Sequence, residues 1–492
     1  MPADRSAAPP SADRPLRVAV VGAGPAGIYA ADALTRQDAV PVAVDLIDRL
    51  PTPFGLVRHG IAPDHPKMRA IRDTLHRTLD HPLVRFVGNV EIGADISLDE
   101  LRTHVDAVIF TYGAALDRHL GIEGEDLPGS LAATELVAWY TGHPDADRAR
   151  VEAALAGVRS AVVVGVGNVA LDVARVLART AAELESTDMP QHVLDTLAAT
   201  PVEEVTVLGR RGPAQASFTT QELRELAELE GATVLVDAAD LKLDADAEER
   251  AATDRNVSRN LAVLRGWIEH ESEPDRTRLR LRFFARPVRL LGEDRVTGVE
   301  VERTAVDGDG RAVGTGETEV LPADLVVRSV GYFGTPLPGL PVDERSGTVP
   351  HVAGRVLRDG EPSPGEYVAG WIKRGPSGVV GTNKHDARET VAALLADAAD
   401  GVLTTHGPVG DLVEELVSRG AAPVLIEDWR AIDAAEVALG ATRGRARTTL
   451  HEREALLAAV RAATQAPSRG PAPSGHRPEP ARGGGTGSFS EG

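Results

Sequence analysis

A strand, a glycine-rich turn and a helix follow one another twice in this 492-residue chain, and that repetition constrains the fold more than any other feature. Residues 17–21 (RVAVV) form a short β-branched run. Gly22-Ala23-Gly24-Pro25-Ala26-Gly27 comes next, then a helical stretch over 25–36. At 160–164 (SAVVV) the pattern restarts, with Gly165-Val166-Gly167-Asn168-Val169-Ala170 opening a helix from Val169. In such turns the first glycine permits the tight bend and the second lets backbone approach a pyrophosphate. The third small residue lets the helix lie close to the sheet. The helix N-terminus presents unpaired N–H groups and positive dipole to the phosphates. An acid roughly 20 residues further on is the partner of ribose hydroxyls, and Asp48 stands there, after a predicted strand over 42–47. A lone glycine hexapeptide also suits an ordinary strand–turn–helix; the flanking strand, helix and acid favour the nucleotide-binding reading.

The second motif lacks a ribose acid. Its second predicted strand, 204–208, ends in Leu208-Gly209-Arg210-Arg211-Gly212. A carboxylate would repel a 2′-phosphate, whereas guanidinium groups hold it by charged, often bidentate hydrogen bonds. This site is therefore predicted to prefer NADPH to NADH, with a solvated arginine pair as the plainer alternative. Two dinucleotides in one chain point to electrons passing from a nicotinamide to a flavin. Further strands are predicted at 107–111, 280–285, 296–303, 325–330 and 367–370, a helix near 386–399, and a charged surface stretch over 236–260. Strands alternating with helices predict an α/β fold with parallel, doubly wound sheets. The restart predicts two Rossmann-like dinucleotide-binding domains, one inserted into the other.

Composition narrows the chemistry. The chain has no cysteine, which excludes disulfide and thiol redox centres and cysteine-held zinc or iron–sulfur clusters. Thioredoxin- and glutathione-reductase-like enzymes need a cysteine pair, and glutamate-synthase small subunits need cysteine-held clusters, so both are excluded. No metal is expected, and the electrons must reside on a non-covalently bound group. With 73 acidic against 53 basic residues and a net charge of −20, general nucleic-acid binding is not expected. No apolar run reaches the ~18 residues of a membrane span, and residues 1–15 lack the apolar centre of a signal peptide. A cytoplasmic monomer is the expectation. Residues 1–15 and 465–492 are rich in Pro, Gly, Ala and Ser and are predicted to be disordered.

Four longer segments are more specific: PTPFGLVRHGIAPDH (51–65), GVGNVALDVAR (165–175), GRRGPAQASFTTQEL (209–223) and GWIKRGPSGVVGTN (370–383). In these the chain resembles adrenodoxin reductase and the related bacterial ferredoxin–NADP+ reductases, over about residues 16–450. The resemblance implies a discontinuous FAD-binding domain (16–117 and 332–464) with an NADP-binding domain (118–331) inserted. It implies a reductase that passes electrons from NADPH through FAD, singly, to a ferredoxin or similar iron–sulfur protein, which could in turn supply a cytochrome P450. Residue by residue, the motif glycines Gly22, Gly24 and Gly27 with Ala26, Asp48, Leu56, Ile92, Trp371, Gly378, Val379 and Val380 match FAD contacts. Gly165, Gly167, Asn168, Val169 and Ala170 match the NADP pyrophosphate turn. Arg210 and Arg211 match the 2′-phosphate grip, and Glu222 and Gly378 match further NADP contacts. Three positions depart from the family: Asp48 stands where Glu is usual, His59 where Phe is common, and Phe333 where a basic residue is common. The shorter Asp48 reaches less far toward a ribose.

His65 and Asp172 are the candidate catalytic residues. Locally, Asp64-His65-Pro66 is a good helix start, and Asp172 complements the dipole of its helix. The resemblance implies more, that the two side chains meet near the nicotinamide, position it and buffer charge. The run Gly375-Pro376-Ser377-Gly378 would bring backbone to a ring edge, and the N-terminus of the following helix would stabilise negative charge there. A plain turn beside a core Trp371 is the alternative. For docking an acidic ferredoxin, the stretch 54–77 offers Arg58, Lys67, Arg69, Arg72 and Arg77. The resemblance adds a helix with Arg255, Arg259 and Arg265; solvated faces are the alternative for each. Two rival functions remain: an NADPH-dependent flavin diaphorase or quinone reductase with a small acceptor, and an NADPH-sensing scaffold.

Overall fold

Leu16–Val21 is the middle one of the five parallel strands in a seven-stranded sheet. The spatial order is His351–Val352, Arg355–Arg358, Glu361–Val368, Ala107–Phe110, Leu16–Val21, Val42–Ile47 and Val84–Val87. The last five are parallel, and the first two form an antiparallel edge. The computed structural model describes residues 14–378, 380–403 and 410–465. The disorder predicted for 1–13 and 466–492 and the FAD match at Val379 lie outside the described residues. Gln465, expected in the loose tail, closes the helix Arg453–Gln465. No helix among the described residues is long and apolar enough to cross a membrane.

A second, wholly parallel sheet has the order Ser130–Ala132, Leu325–Arg328, Ser160–Val164, Glu204–Leu208, Thr277–Arg282 and Ala232–Val236. An antiparallel meander of Ala285–Leu291, Gly298–Val306 and Ala312–Pro322 stands beside it. The chain passes between the two large sheets at Leu116–Asp117 and returns at Tyr332–Phe333, and these two passages pair antiparallel. The predicted strand over 280–285 is split: Thr277–Arg282 stays in the parallel sheet, and Phe284, at φ +54°, turns the chain into the meander. The helix predicted near 386–399 starts earlier, at Val380.

Both glycine motifs sit at switch points, where neighbouring strands lead away to opposite sides of the sheet. Gly22 (φ +111°) lies against the backbone of Tyr112, which follows Ala107–Phe110; a Cβ on Gly22 would stand 2.7 Å from it. Gly165 (φ +135°) lies the same way against Ser329, which follows Leu325–Arg328, at 2.1 Å. A Cβ on Gly27 would stand 1.9 Å from the Gly22 carbonyl. The helix Pro25–Thr35 can therefore lie flat on the sheet, burying Ala26, Ile28, Ala30, Ala31 and Leu34. Ala387, Val391 and Leu394 of the helix Val380–Ala399 share the same core cluster.

Near the C-terminus, residues 445–453 cross from one sheet's territory to the other. Arg445 donates to the Met189 carbonyl at 2.9 Å, and the Thr449 N–H to that of Asp188 at 2.9 Å. Arg453 donates to Asn89 at 2.8 Å and to Asp145 at 3.0 Å.

Left-handed backbone costs a side chain roughly 1–3 kcal/mol even without a collision. Gly22→Ala is expected to destabilise by at least about 2 kcal/mol, a fall in Tm of about 2 °C or more for a chain of this size. Gly266→Ala, on an open helical face with nothing within 4 Å, should leave Tm unchanged or higher. Thermal melts of the two variants check this.

Candidate active site

The first cradle is built from Gly22, Gly24 and Gly27 with a helix start that no side chain caps. Gly55, at φ +47°, approaches Gly24 so closely that a Cβ on it would lie 2.9 Å from the Gly24 Cα. The segment 51–55 thus folds over the turn, held by the Phe54 N–H on the Ala23 carbonyl at 2.8 Å. Asp48 accepts from the Ala23 N–H at 2.7 Å and the Leu50 N–H at 2.9 Å. Burial pushes its carboxyl up against the pull of those bonds. Each oxygen keeps a lone pair for a hydroxyl. Leu56 presents an exposed apolar side chain, 43% accessible, whereas Ile92 is buried beside Val87 and Val90. Gly370 (φ +79°) abuts Ala26, its notional Cβ 2.6 Å from the alanine's. Trp371 stacks on Tyr332, ring centroids 6.3 Å apart at 9°. Gly378 (φ +81°) lies against Thr382, and Val380 opens the long helix. On segments framing this cradle, Thr52 Oγ1 and the Tyr112 hydroxyl are buried without a partner among the described residues. Bare helical N–H groups, a close-packed glycine floor, a ribose-type acid and orphaned hydroxyls fit a flavin dinucleotide.

The second cradle repeats the plan. Gly165, Gly167 and the uncapped helix Asn168–Ala178 form the turn, with Ala170 buried against the sheet and Val169 partly exposed. Asn168 Oδ1 accepts from the Thr219 N–H at 2.8 Å, and the Ser217 N–H donates to the Val166 carbonyl at 2.9 Å, so 209–219 is tied to the turn. The backbone of Arg210 and Arg211 is fixed: the Arg210 carbonyl accepts from Thr304 at 2.8 Å, that of Arg211 from the Phe284 N–H at 3.1 Å. Neither guanidinium has a hydrogen-bond or ion-pair partner among the described residues, so both are open to a phosphate.

Between the cradles lies a buried charge cluster. His65 Nε2 is 3.1 Å from Asp172 and 3.2 Å from Glu222, and its Nδ1 is 3.1 Å from Glu225. Arg175, wholly buried, donates to Asp64 at 2.7 and 3.1 Å and to Asp172 at 2.8 Å; it also touches His65 and lies 3.4 Å from Glu222. Arg179 adds a bond to Asp64 at 3.0 Å. Burial alone would push the His65 imidazole down, but bonds to Asp172 and Glu222 outweigh it and hold the group up at about 10. Burial opposes ionisation of Glu222 too, and His65 and Arg175 still keep its carboxyl below the usual range. Ligand atoms of His65, Asp172 and Glu222 lie within 4.8 Å of one another, a spacing a metal could use. The Arg175 guanidinium already supplies the positive charge there. Sequence reasoning found His65, Asp172 and Glu222 and missed Asp64, Arg175 and Glu225. Its available signal was Asp172, Arg175 and Arg179 at helical spacing on an otherwise apolar helix.

A family model described as pyridine nucleotide-disulphide oxidoreductase matches residues 16–248. The NADPH-ferredoxin reductase FprA of Mycobacterium tuberculosis is 46% identical over 452 residues, 89% of this chain and 97% of that protein. The mitochondrial NADPH:adrenodoxin oxidoreductase of Arabidopsis thaliana is 40% identical over 469 residues, 92% and 96% of the two chains. The chain belongs to the ferredoxin and adrenodoxin reductase family. A structure of Mycobacterium tuberculosis FprA in complex with NADPH superposes with a TM-score of 0.86 at 44% identity, covering 91% of this family member and all of that chain. The disulphide chemistry in the wider family's description is closed to this member, which has no cysteine.

Two docking candidates need correction. Arg58 is 4% exposed, bonds Glu436 with both terminal nitrogens and lies 5.3 Å over the Trp429 ring. It is a core ion pair and meets no partner. Arg69 is largely covered and bound to Asp188 at 2.6 Å. Lys67 is exposed, Arg72 partly so and 3.9 Å from Asp73, and Arg255, Arg259 and Arg265 are exposed on the helix Arg255–Gly266.

A histidine held charged by folding favours the native state where the unfolded chain would have lost the proton. Its stabilisation is complete below the unfolded value near 6.5 and falls as pH rises toward about 10. Thermal stability is expected to decline over that window, with a slope of at most about 1.4 kcal/mol per pH unit from this group. His65→Gln should flatten that slope in melts recorded from pH 6.5 to 10.

Proposed function

We propose that this family member is an FAD-dependent NADPH–ferredoxin reductase, with FAD in the first cradle and NADPH in the second. The observation that carries this reading is the free guanidinium pair Arg210 and Arg211, in a cradle joined to a second, acid-bearing cradle by the cluster at His65. FAD held there would supply the redox chemistry that links a two-electron hydride donor to a one-electron acceptor. The protein's own part is placement. Gly24 and Gly55 leave only backbone against the pyrophosphate, and the bare N–H groups of the helix Pro25–Thr35 face it. Asp48 offers its remaining lone pairs to the ribose. Leu56, Trp371 and Gly378 line the ring end, and Gly167, Asn168 and Val169 hold the second pyrophosphate. His65 holds a proton against Asp172, Glu222 and Glu225, which places a positive charge among those carboxylates and stops the imidazole from turning. We assign 16–117 with 332–464 to the FAD domain and 118–331 to the NADP domain. In support of this division, the paired passages Leu116–Asp117 and Tyr332–Phe333 carry the chain out of one sheet and back.

The acceptor follows from what the relatives are named for, and the surface suits it. An acidic iron–sulfur protein would be repelled by a net charge of −20 unless local basic groups reversed the field. Lys67, the partly exposed Arg72, and Arg255, Arg259 and Arg265 on one helix are cations of that kind. NADPH-driven reduction of cytochrome c is expected to rise several-fold when a ferredoxin is added, and to fall as salt is raised. Ferricyanide reduction should be insensitive to both. No gain from any ferredoxin would leave a diaphorase, and a flavin that NADPH does not bleach anaerobically would leave a sensor.

Charged hydrogen bonds are worth roughly 1.5–3 kcal/mol each. Arg210→Gln combined with Arg211→Gln should therefore raise KM for NADPH by at least about 100-fold and leave that for NADH nearly unchanged. Equal effects on both coenzymes in steady-state kinetics would remove the pair from the 2′-phosphate.

A further inference from the structure

We propose that Arg175 is a positioning residue for hydride transfer, a buried side chain that fixes the nicotinamide cradle in register with the flavin cradle. This rests on the function proposed above. Arg175 stands two turns into the helix Asn168–Ala178, whose first turn is the NADP cradle. Its main partner, Asp64, lies on the segment that leaves the cover of the FAD cradle at 51–56. One guanidinium therefore couples the two cradles through short stretches of chain on either side. Its geometry is specific. Nε and Nη2 take both oxygens of Asp64 at 2.7 and 3.1 Å, Nη2 also meets Asp172 at 2.8 Å, and Nη1 faces Glu222 at 3.4 Å. These partners come from three separate elements, and only a planar fork of donors reaches all of them at once. A lysine ammonium keeps the charge but presents its donors from one point. The side chain is wholly buried, so no water replaces a lost bond without rearrangement. His65, gripped by the same carboxylates, takes its orientation from this frame.

A positioning role separates the rate of transfer from the binding of either nucleotide. The pyrophosphate turns and the Arg210/Arg211 pair are untouched by a change at Arg175. The test uses FAD-loaded Arg175→Lys and Asp64→Asn, which approach the same contact from its two ends. Four quantities are measured: bound FAD per chain, NADP+ affinity, the change in the visible flavin spectrum when NADP+ is added, and the limiting rate of anaerobic bleaching by NADPH. We expect FAD content to be retained and NADP+ affinity to change less than about threefold. We expect the spectral change to be diminished and the limiting rate to fall at least tenfold in both variants, with bleaching by dithionite unaffected. Wild-type limiting rates and spectra in either properly loaded variant would overturn the assignment. So would a rate loss matched by an equal loss of FAD, which would mean a purely structural role. Failure of NADPH to bleach the unaltered protein would instead sink the proposed function, so the two failures are distinguishable.

Discussion

A guanidinium taken out of water must meet opposite charge on every side or its desolvation is not offset, and that requirement governs how the two halves of this molecule meet. Arg175 has no solvent contact. No single element supplies its counter-charges: Asp64 comes from the segment over the first cradle, Asp172 from Arg175's own helix and Glu222 from the helix beginning at Thr220. Sliding one domain by a few ångströms would strand charge in a dry interior. The seam is thus a polar lock with few permitted settings, unlike an apolar contact, which tolerates slippage.

Backbone geometry supplies the second constraint. At both switch points a glycine lies where any Cβ would collide with the chain beyond the neighbouring strand. This brings helix N-termini close to the sheet crevices and leaves their N–H groups facing outward. The cradles and the lock are linked because the helix that begins at the second turn carries Arg175 two turns later.

Much of this was legible in the sequence, for a physical reason: glycine spacing, β-branched strands and a following acid are local demands, and Gly22, Gly165 and Asp48 sit where those demands place them. The arginine pair was legible because its position after a strand has a chemical meaning. Arg58 was misread because its partner, Glu436, lies 378 residues further on, and nothing local distinguishes a buried arginine from a solvated one. Ala312–Pro322 was missed because it is an exposed edge strand with little apolar alternation. Arg175 was overlooked because charged residues on a helix are usually solvent-facing, while here the apolar residues around them bury the helix from Ala170 onward.

The interrupted sheet also bears on how the chain acquires its shape. Glu361–Val368 pairs with Ala107–Phe110, so the larger sheet stays incomplete until all of the intervening sequence has emerged from the ribosome. Every strand of the second sheet lies within that intervening sequence and can assemble while the flanking strands wait. Contacts between distant positions slow folding, and domains tend to form in order of synthesis. The nascent molecule therefore presents an unfinished β-edge at Ala107–Phe110 for as long as translation of the middle takes, the interval in which it is most exposed to aggregation.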